Sequence, residues 1–366
     1  MVTQILKKPL SMGHRFERER YEDQMSFGET TIEDVARLAG VSIATVSRTL
    51  HHPNLVKPET RSRVQIVVQK TGYIQNIAAQ NLRRQKTGMI LILVSNVRDP
   101  AFVEFLTGLE ERATDRGYTI VLGYTGGSAE REEFFTGFVR QKRADGLILI
   151  NGNLPAGLAD YYRQDVDTPP IITIREKTPE EWLTQVITDD IAGAEMAVEH
   201  LIALGHSKIA HIKGPGHNIL ARERLRGYLQ ALVKKDLLTE RQLILEGDFT
   251  VEAGRKAAKI IDRSERKPSA VFCANDAMAQ GLISELDRLG WRLPEQLSIV
   301  GFDNLETSAV MQPALTSIHI PHCEMGRLAM DRLLDLLDGE VLAEPGHIHC
   351  PFQLIKRASS VHFQAN

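Results

Sequence analysis

Cysteine is scarce: the 366 residues contain three, Cys273, Cys323 and Cys350. They are widely spaced, odd in number and form no CxxC pair, which excludes a disulfide framework and suits a reducing compartment. Long apolar runs are missing as well, and nothing reaches the roughly 18 residues of a membrane span. The first 28 residues intersperse Lys7, Lys8, Arg15, Arg18 and Arg20 with four acids. They hold no apolar stretch of signal-peptide length, so a cytoplasmic protein is expected. Residues 1–29 also lack a sustained hydrophobic period and read as a disordered tail. Phosphate-cradling motifs are absent: no G-x-G-x-x-G follows an apolar run, and no G-x-x-x-x-G-K-[ST] occurs. That weighs against the main alternative, a cytosolic sugar- or nucleotide-utilising α/β enzyme, and no cofactor is expected. His347-Ile348-His349-Cys350 reads as exposed strand histidines rather than a metal site.

What is present is an ordinary globular composition, 43% hydrophobic and 25% charged, in a chain long enough for two or three domains. The net charge of −3 hides a segregation: residues 30–86 carry nine Lys/Arg against three Asp/Glu, while everything after them carries thirty against thirty-nine. A short basic module on an acidic remainder is an electrostatic footprint for nucleic acid.

The pattern inside that module is more specific. Thr31-Ile32-Glu33-Asp34 is a capping-box variant ahead of Ile32, Val35, Ala36 and Ala39 at helical spacing. Gly40 supplies a left-handed stop, Val41 a turn residue, and Ser42 a second N-cap before residues 43–50. Two helices joined so tightly must cross steeply, as in a helix-turn-helix, and the second presents Ile43, Ala44, Ser47 and Arg48 outward. Arg48 has the planar fork that matches guanine O6 and N7, or alternatively grips phosphate. Ile43 and Ala44 can sense thymine methyls or pack on the sugar-phosphate wall. Thr31, Ser42, Thr45 and Ser47 can donate to phosphates, although Thr31 and Ser42 serve equally as caps. Downstream, Ala78 to Arg84 sets one large apolar side chain, Leu82, among small and polar residues, the composition of a minor-groove wedge.

The segments TIEDVARLAGVSIATVSRTL, VKPETRSRV and GYIQNIAAQNLRR, in this order, resemble the headpiece of the LacI family of bacterial transcription regulators. The resemblance implies a major-groove recognition helix containing Ile43, Ala44 and Arg48. It also implies a minor-groove hinge helix at 76–86 in which Asn76, Ala79, Leu82 and Arg83 meet DNA, and a homodimer on a pseudopalindromic double-stranded operator. Ile43 and Ala44 depart from lactose-repressor-like members, which are polar there. After Ile355 no leucine heptad of the tetramerising kind follows, so a dimer is expected.

From Met89 the chain alternates apolar runs with helical patterns: MILILV, 102–116, YTIVLG, 130–142, GLILI, IITI and QVIT. A second series begins at Asp190 and includes KIAHIKG, AVFCAND and LSIVGFDN. Such alternation predicts two doubly wound parallel sheets forming a two-lobed core at 87–360, with an N-lobe at about 87–189 plus 320–349 and a C-lobe at about 190–318 plus 350–360. The headpiece is expected at 30–75. DPAF, GHSKIAHIKGP, RLRGY, VFCANDAMAQG and PALTSI extend the resemblance to the family's periplasmic-binding-protein-like effector core. By that resemblance Phe102, Asn218, Arg224, Phe249, Asn275 and Asp303 face a small effector, a sugar or nucleoside. On chemistry alone Arg224 and Asp303 either address ligand hydroxyls or pair with each other, and either Phe can be core. The loops LVSNVRDPAF and GDFTVEAG lean toward the cytidine and purine repressor branch, although Asn218 and Leu220 stand where purine-responsive members carry arginine and threonine. A periplasmic binding protein would share the cleft but needs export and has no helix-turn-helix.

Overall fold

The structure, a computed structural model, describes residues 30–74, 86–150, 154–164, 168–180, 182–238, 243–340 and 346–364. It divides into two units, up to Arg84 and from Gln85 onward. The expected tail and the hinge positions Asn76, Ala79, Leu82 and Arg83 lie outside the described residues.

Among its described residues the N-terminal unit has the α-helices α1 (Ile32–Ala39), α2 (Ile43–His51) and α3 (Pro58–Thr71). The start of α1 is fixed locally: the Asp34 N–H donates to Thr31 Oγ1 (3.2 Å) and the Thr31 N–H donates back to Asp34 Oδ2 (3.1 Å). Gly40, at φ 63°, ends it in the left-handed region that a side chain disfavours. Val35, Ala36, Ala39, Val46 and Val64 form the core beneath, with Val41, Leu50 and Tyr73 packed against it.

The second unit contains two six-stranded sheets. The first comprises β1 (Met89–Val94), β2 (Thr119–Tyr124), β3 (Gly146–Ile150), β4 (Ile171–Arg175), β5 (Thr184–Ile187) and the late β11 (His347–His349), in the order β11-β5-β4-β3-β1-β2. The second comprises β6 (Ile209–Ile212), β7 (Ile244–Leu245), β8 (Ala270–Cys273), β9 (Ser298–Asp303), β10 (Thr316–His319) and β12 (Gln353–Ile355), in the order β12-β10-β9-β8-β6-β7. All neighbours are parallel except β10 and β12. Setting the terminal strands aside, each sheet has the 2-1-3-4-5 order of a doubly wound fold, whose ligands sit beyond the carboxyl ends of the strands. Strands such as MILILV are continuous apolar runs because helices cover both faces of a parallel sheet.

In the first lobe those helices are α4 (Ala101–Asp115), α5 (Ala129–Arg140), α6 (Ala156–Gln164) and α11 (His322–Leu337). In the second they are α7 (Asp190–Ala203), α8 (Ile219–Lys234), α9 (Val251–Arg263) and α10 (Asp276–Arg288). Helix α6, between GLILI and IITI, has no counterpart in the sequence-based series. Glycine permits close helix approach: a Cβ on Gly108 of α4 would stand 1.9 Å from the Cys323 carbonyl oxygen of α11. The chain passes between lobes after β5, after β10 and after β11, so α11 and β11 complete the first lobe only after all of the second sheet but β12 has been laid down.

Candidate nucleic-acid interface and ligand cleft

On the N-terminal unit, α2 starts where Ser42 Oγ accepts the Thr45 N–H at 3.1 Å, and Thr45 Oγ1 lies 2.9 Å from Ser42 Oγ. Ile43 is 44% exposed, and Ala44 and Arg48 are exposed beside half-buried Ser47 and Thr45. Helical spacing therefore gathers an apolar pair, hydroxyls and one guanidinium on a single surface. Thr31 and Ser42 both act as caps here. The hydrogen bond from Thr31, followed by Arg37, holds the Asp34 carboxyl down at about 2, so α1 carries a charged acid at its positive end.

In the core a cleft of about 780 Å³ opens at the carboxyl ends of both sheets. It is built from the loops after β1 (Asn96, Arg98, Asp99), β4 (Arg175, Glu176, Lys177), β6 (His217, Asn218, Arg222), β7 (Asp248, Phe249) and β8 (Asn275). Asn218 caps α8, accepting the Ala221 N–H at 3.0 Å, and its Nδ2 donates to Glu176 Oε1 at 2.9 Å. Asn275 caps α10 through the Met278 N–H (3.0 Å) and donates to the Phe249 carbonyl (3.0 Å). This holds Phe249 at φ 66°. Arg175, Asp303 and Asn304 also have positive φ, at 78°, 102° and 54°. Arg175 and Phe249 line the cleft, whereas Asp303 and Asn304 at the end of β9 do not; strained backbone at such strand ends persists only where the surroundings hold it.

Of the six expected contact residues, Asn218, Phe249 and Asn275 line the cleft, while Phe102, Arg224 and Asp303 are placed elsewhere. Phe102 is 6% exposed, within the apolar core that contains Phe105 and Leu109. Phe102 stands in the first turn of α4, on the face that carries buried Phe105 and Leu109. Arg224 and Asp303 pair with each other beneath the cleft. Arg224 Nε donates to Asp190 Oδ1 (2.7 Å), Nη1 to the Ala274 carbonyl (2.6 Å) and Nη2 to Asp303 Oδ1 (3.3 Å). The guanidinium lies 3.8 Å from the centroid of the Phe302 ring. Arg224 and Asp303 are 2% and 3% exposed. Burial pushes the Asp303 carboxyl up despite the opposing charges of Arg224 and Arg175. Burial, and then the neighbouring Asp303, raise Asp276 to about 7, against hydrogen bonds from Ser308, Ser317 and the Leu305 N–H.

Sequence reasoning did not find Asp99, Arg175, Glu176 and Lys177. Asp99 accepts the Ala101 N–H (3.0 Å) and pairs with Arg175. Burial alone would raise its carboxyl, but the Arg175 charge prevails and holds it below the ordinary range. A signal was available: charged residues R-E-K directly follow the apolar strand IITI, at the strand end where wound sheets collect ligands. Among the described residues no group of three or more His, Cys, Asp or Glu could hold a metal ion, and none of the described helices is long and apolar enough to cross a membrane.

A helix-turn-helix unit joined to a two-lobed, clefted α/β unit is the layout of a ligand-controlled DNA-binding protein. The comparisons agree and give the family. Residues 31–76 match the model of bacterial regulatory proteins of the lacI family, and residues 198–360 match a periplasmic binding protein-like domain. The chain is 37% identical over 310 residues to the HTH-type transcriptional repressor CytR of Escherichia coli (strain K12), covering 85% of this chain and 90% of the relative. Among solved structures, the lac repressor dimer bound to operator and the anti-inducer ONPF aligns with TM-score 0.78 at 27% identity, covering 91% of this chain and all of the other. The transcriptional regulator CelR-cellobiose complex aligns with TM-score 0.67 at 30% identity, covering 90% and 99%. The chain belongs to the LacI family: it is a sequence-specific DNA-binding transcription regulator controlled by a small-molecule effector.

Proposed function

We propose that the effector is a sugar or nucleoside held between the two lobes, and that a cytoplasmic homodimer represses transcription from a pseudopalindromic operator, with no enzymatic step. The observation that carries the reading is the cleft itself. Asn96, Asn218, Asn275 and Asp248 offer directional donors and acceptors suited to hydroxyls, and Phe249 offers a flat apolar face. Arg48, Ile43 and Ala44 read base edges from the exposed side of α2. Thr45 and Ser47 position the helix on phosphates, and 76–86 acts as the minor-groove hinge, with Leu82 as the wedge. Thr31 and Ser42 act first as caps.

Control of DNA binding by the effector has a physical route in α11. Its first residue, His322, places Nε2 3.9 Å from Asp303 Oδ1. At its far end the Leu337 carbonyl accepts from Nζ of Lys86, the last residue of the expected hinge, at 3.3 Å. Dimerisation is supported by the outer edge of the first sheet, where β2 exposes Leu122 and Tyr124 (44% and 42%) and neighbouring helices expose Val103 and Phe134 (64% each).

A thermal-shift screen of the full chain against cytidine, adenosine, ribose and cellobiose tests the reading. Stabilisation by one of them, lost in an Asn275→Ala variant, is expected. Stabilisation that survives Asn275→Ala and Phe249→Ala together would move the ligand out of this cleft.

A further inference from the structure

Three consecutive side chains at the end of β4 reach from the first lobe to the second. Arg175 Nη2 lies 3.9 Å from Asp303 Oδ1. Glu176 Oε1 accepts from Asn218 Nδ2 at 2.9 Å. Lys177 Nζ pairs with Glu223 Oε1 at 2.9 Å. Alternation of side chains along an extended strand would send the middle residue the opposite way from its neighbours. Here the backbone bends: the Glu176 N–H donates to the Ile174 carbonyl at 3.0 Å, an i to i+2 bond, around Arg175 at φ 78°. A tight turn about a positive-φ central residue is rare and strained for a side-chain-bearing residue. Such strain persists only where the surroundings over-determine it. The surroundings here are the cross-lobe contacts together with Asp99, which anchors Arg175 within its own lobe.

We propose that Arg175-Glu176-Lys177 is a latch that holds the two lobes together across the cleft. The charges run plus, minus, plus and meet a carboxylate, an amide donor and a carboxylate, so the register is fixed: a shift by one residue opposes like charges at Glu223. The pairs are partly shielded, with the Lys177 and Glu223 side chains 29% and 16% exposed, so they are less screened than surface ion pairs. Glu176 and Asn218 both line the cleft, which puts the latch where an arriving ligand must exchange with it. That regulatory meaning rests on the effector reading above. The latch itself is measurable without any ligand, so the two stand or fall separately.

The test is hydrogen exchange read by mass spectrometry on the ligand-free full-length protein, following segments 174–180 in one lobe and 216–224 in the other. Lys177→Glu is expected to speed exchange about tenfold in both segments together, the fold-change of losing one charge-assisted hydrogen bond. Lys177→Glu combined with Glu223→Lys reverses both charges and is expected to restore protection in both. Glu176→Ala is expected to loosen the same two segments, and Lys177→Met serves if the charge reversal alone does not fold. Faster exchange confined to 174–180, unchanged exchange in every variant, or failure of the charge swap to restore protection overturns the proposal.

Discussion

Replacing Arg224 with methionine keeps most of the apolar stem and removes the charge and its donors. Three hydrogen bonds disappear, to Asp190, the Ala274 carbonyl and Asp303. The two carboxylates left behind are 2% and 3% exposed, so water cannot take over. Removing one partner of a buried pair costs about 3–5 kcal/mol, and loss of the stack on Phe302 adds about 1 kcal/mol. At about 2 °C per kcal/mol in a core of this size, Tm should fall by roughly 8–12 °C. The loss depends on pH in a defined sense. Asp303 is already raised by burial, and without Arg224 it rises further, so in acid it takes up a proton and the deficit shrinks, while above neutral pH the full penalty stands. Urea unfolding of wild type and variant at pH 5 and pH 8 measures this. A difference below about 1 kcal/mol, or one equal at the two pH values, would refute the argument that Arg224 neutralises a buried acid cluster.

Gly108→Ala should destabilise the core by about 1–3 kcal/mol or prevent folding, because the added methyl meets the Cys323 backbone oxygen at 1.9 Å; chemical denaturation reads it, and a neutral outcome would mean α4 and α11 can separate freely. Arg48→Ala should weaken a specific operator by about 1–3 kcal/mol and relax preference at one guanine; an equal loss on random DNA with a reduced salt slope would make Arg48 a phosphate contact. Asp276, raised to about 7, and His211, lowered by burial to about 4, make opposite contributions. Between pH 4 and 6.5 the folded core keeps a proton on Asp276 that the unfolded chain has lost, while His211 lacks one that the unfolded chain holds. Relative to wild type, the stability of Asp276→Asn should therefore climb with pH in that window, at up to about 1.4 kcal/mol per unit, and a parallel urea series at pH 4.5, 5.5 and 6.5 with no such divergence would contradict the protonated Asp276.

Legibility followed the range of the interaction. Thr31, Asp34, Gly40 and Ser42 disclosed the headpiece because caps act over three or four residues, and the apolar runs disclosed both sheets because parallel strands are buried on both faces. Asn218 and Asn275 came from the family resemblance alone; that each caps the helix it precedes emerged only with the structure. Phe102 shows the limit: which face of α4 meets the apolar core containing Phe105 and Leu109 is set by tertiary packing and not by the DPAF motif. Arg175, Glu176 and Lys177 stood in the sequence only as a charged run after an apolar strand; their pairing was beyond reach because the partners Asp303, Asn218 and Glu223 are 40 or more residues away and meet them only when two lobes fold. The choice between ligand contact and mutual pairing for Arg224 and Asp303 was likewise tertiary: it required knowing that both end up beneath the cleft.

The order in which the chain visits its lobes bears on how the protein is made. Strands β1 to β5 leave the ribosome soon after the headpiece, but the helix that shares one face of their sheet with α4 starts at His322 and their edge strand starts at His347. About 130 residues separate β5 from α11, an interval of roughly 7–25 s at ordinary bacterial and eukaryotic synthesis rates of about 5–20 residues per second. Through that interval the part of the apolar face over β3 to β5 that will bury Met325, Ala329 and Leu333 waits with only α4 beside it, while the second lobe has nearly all its strands in hand. The nascent first lobe is thus a natural client for chaperones. A stop codon just before residue 322 should yield an aggregating product, even though it spares the headpiece and most of the second sheet.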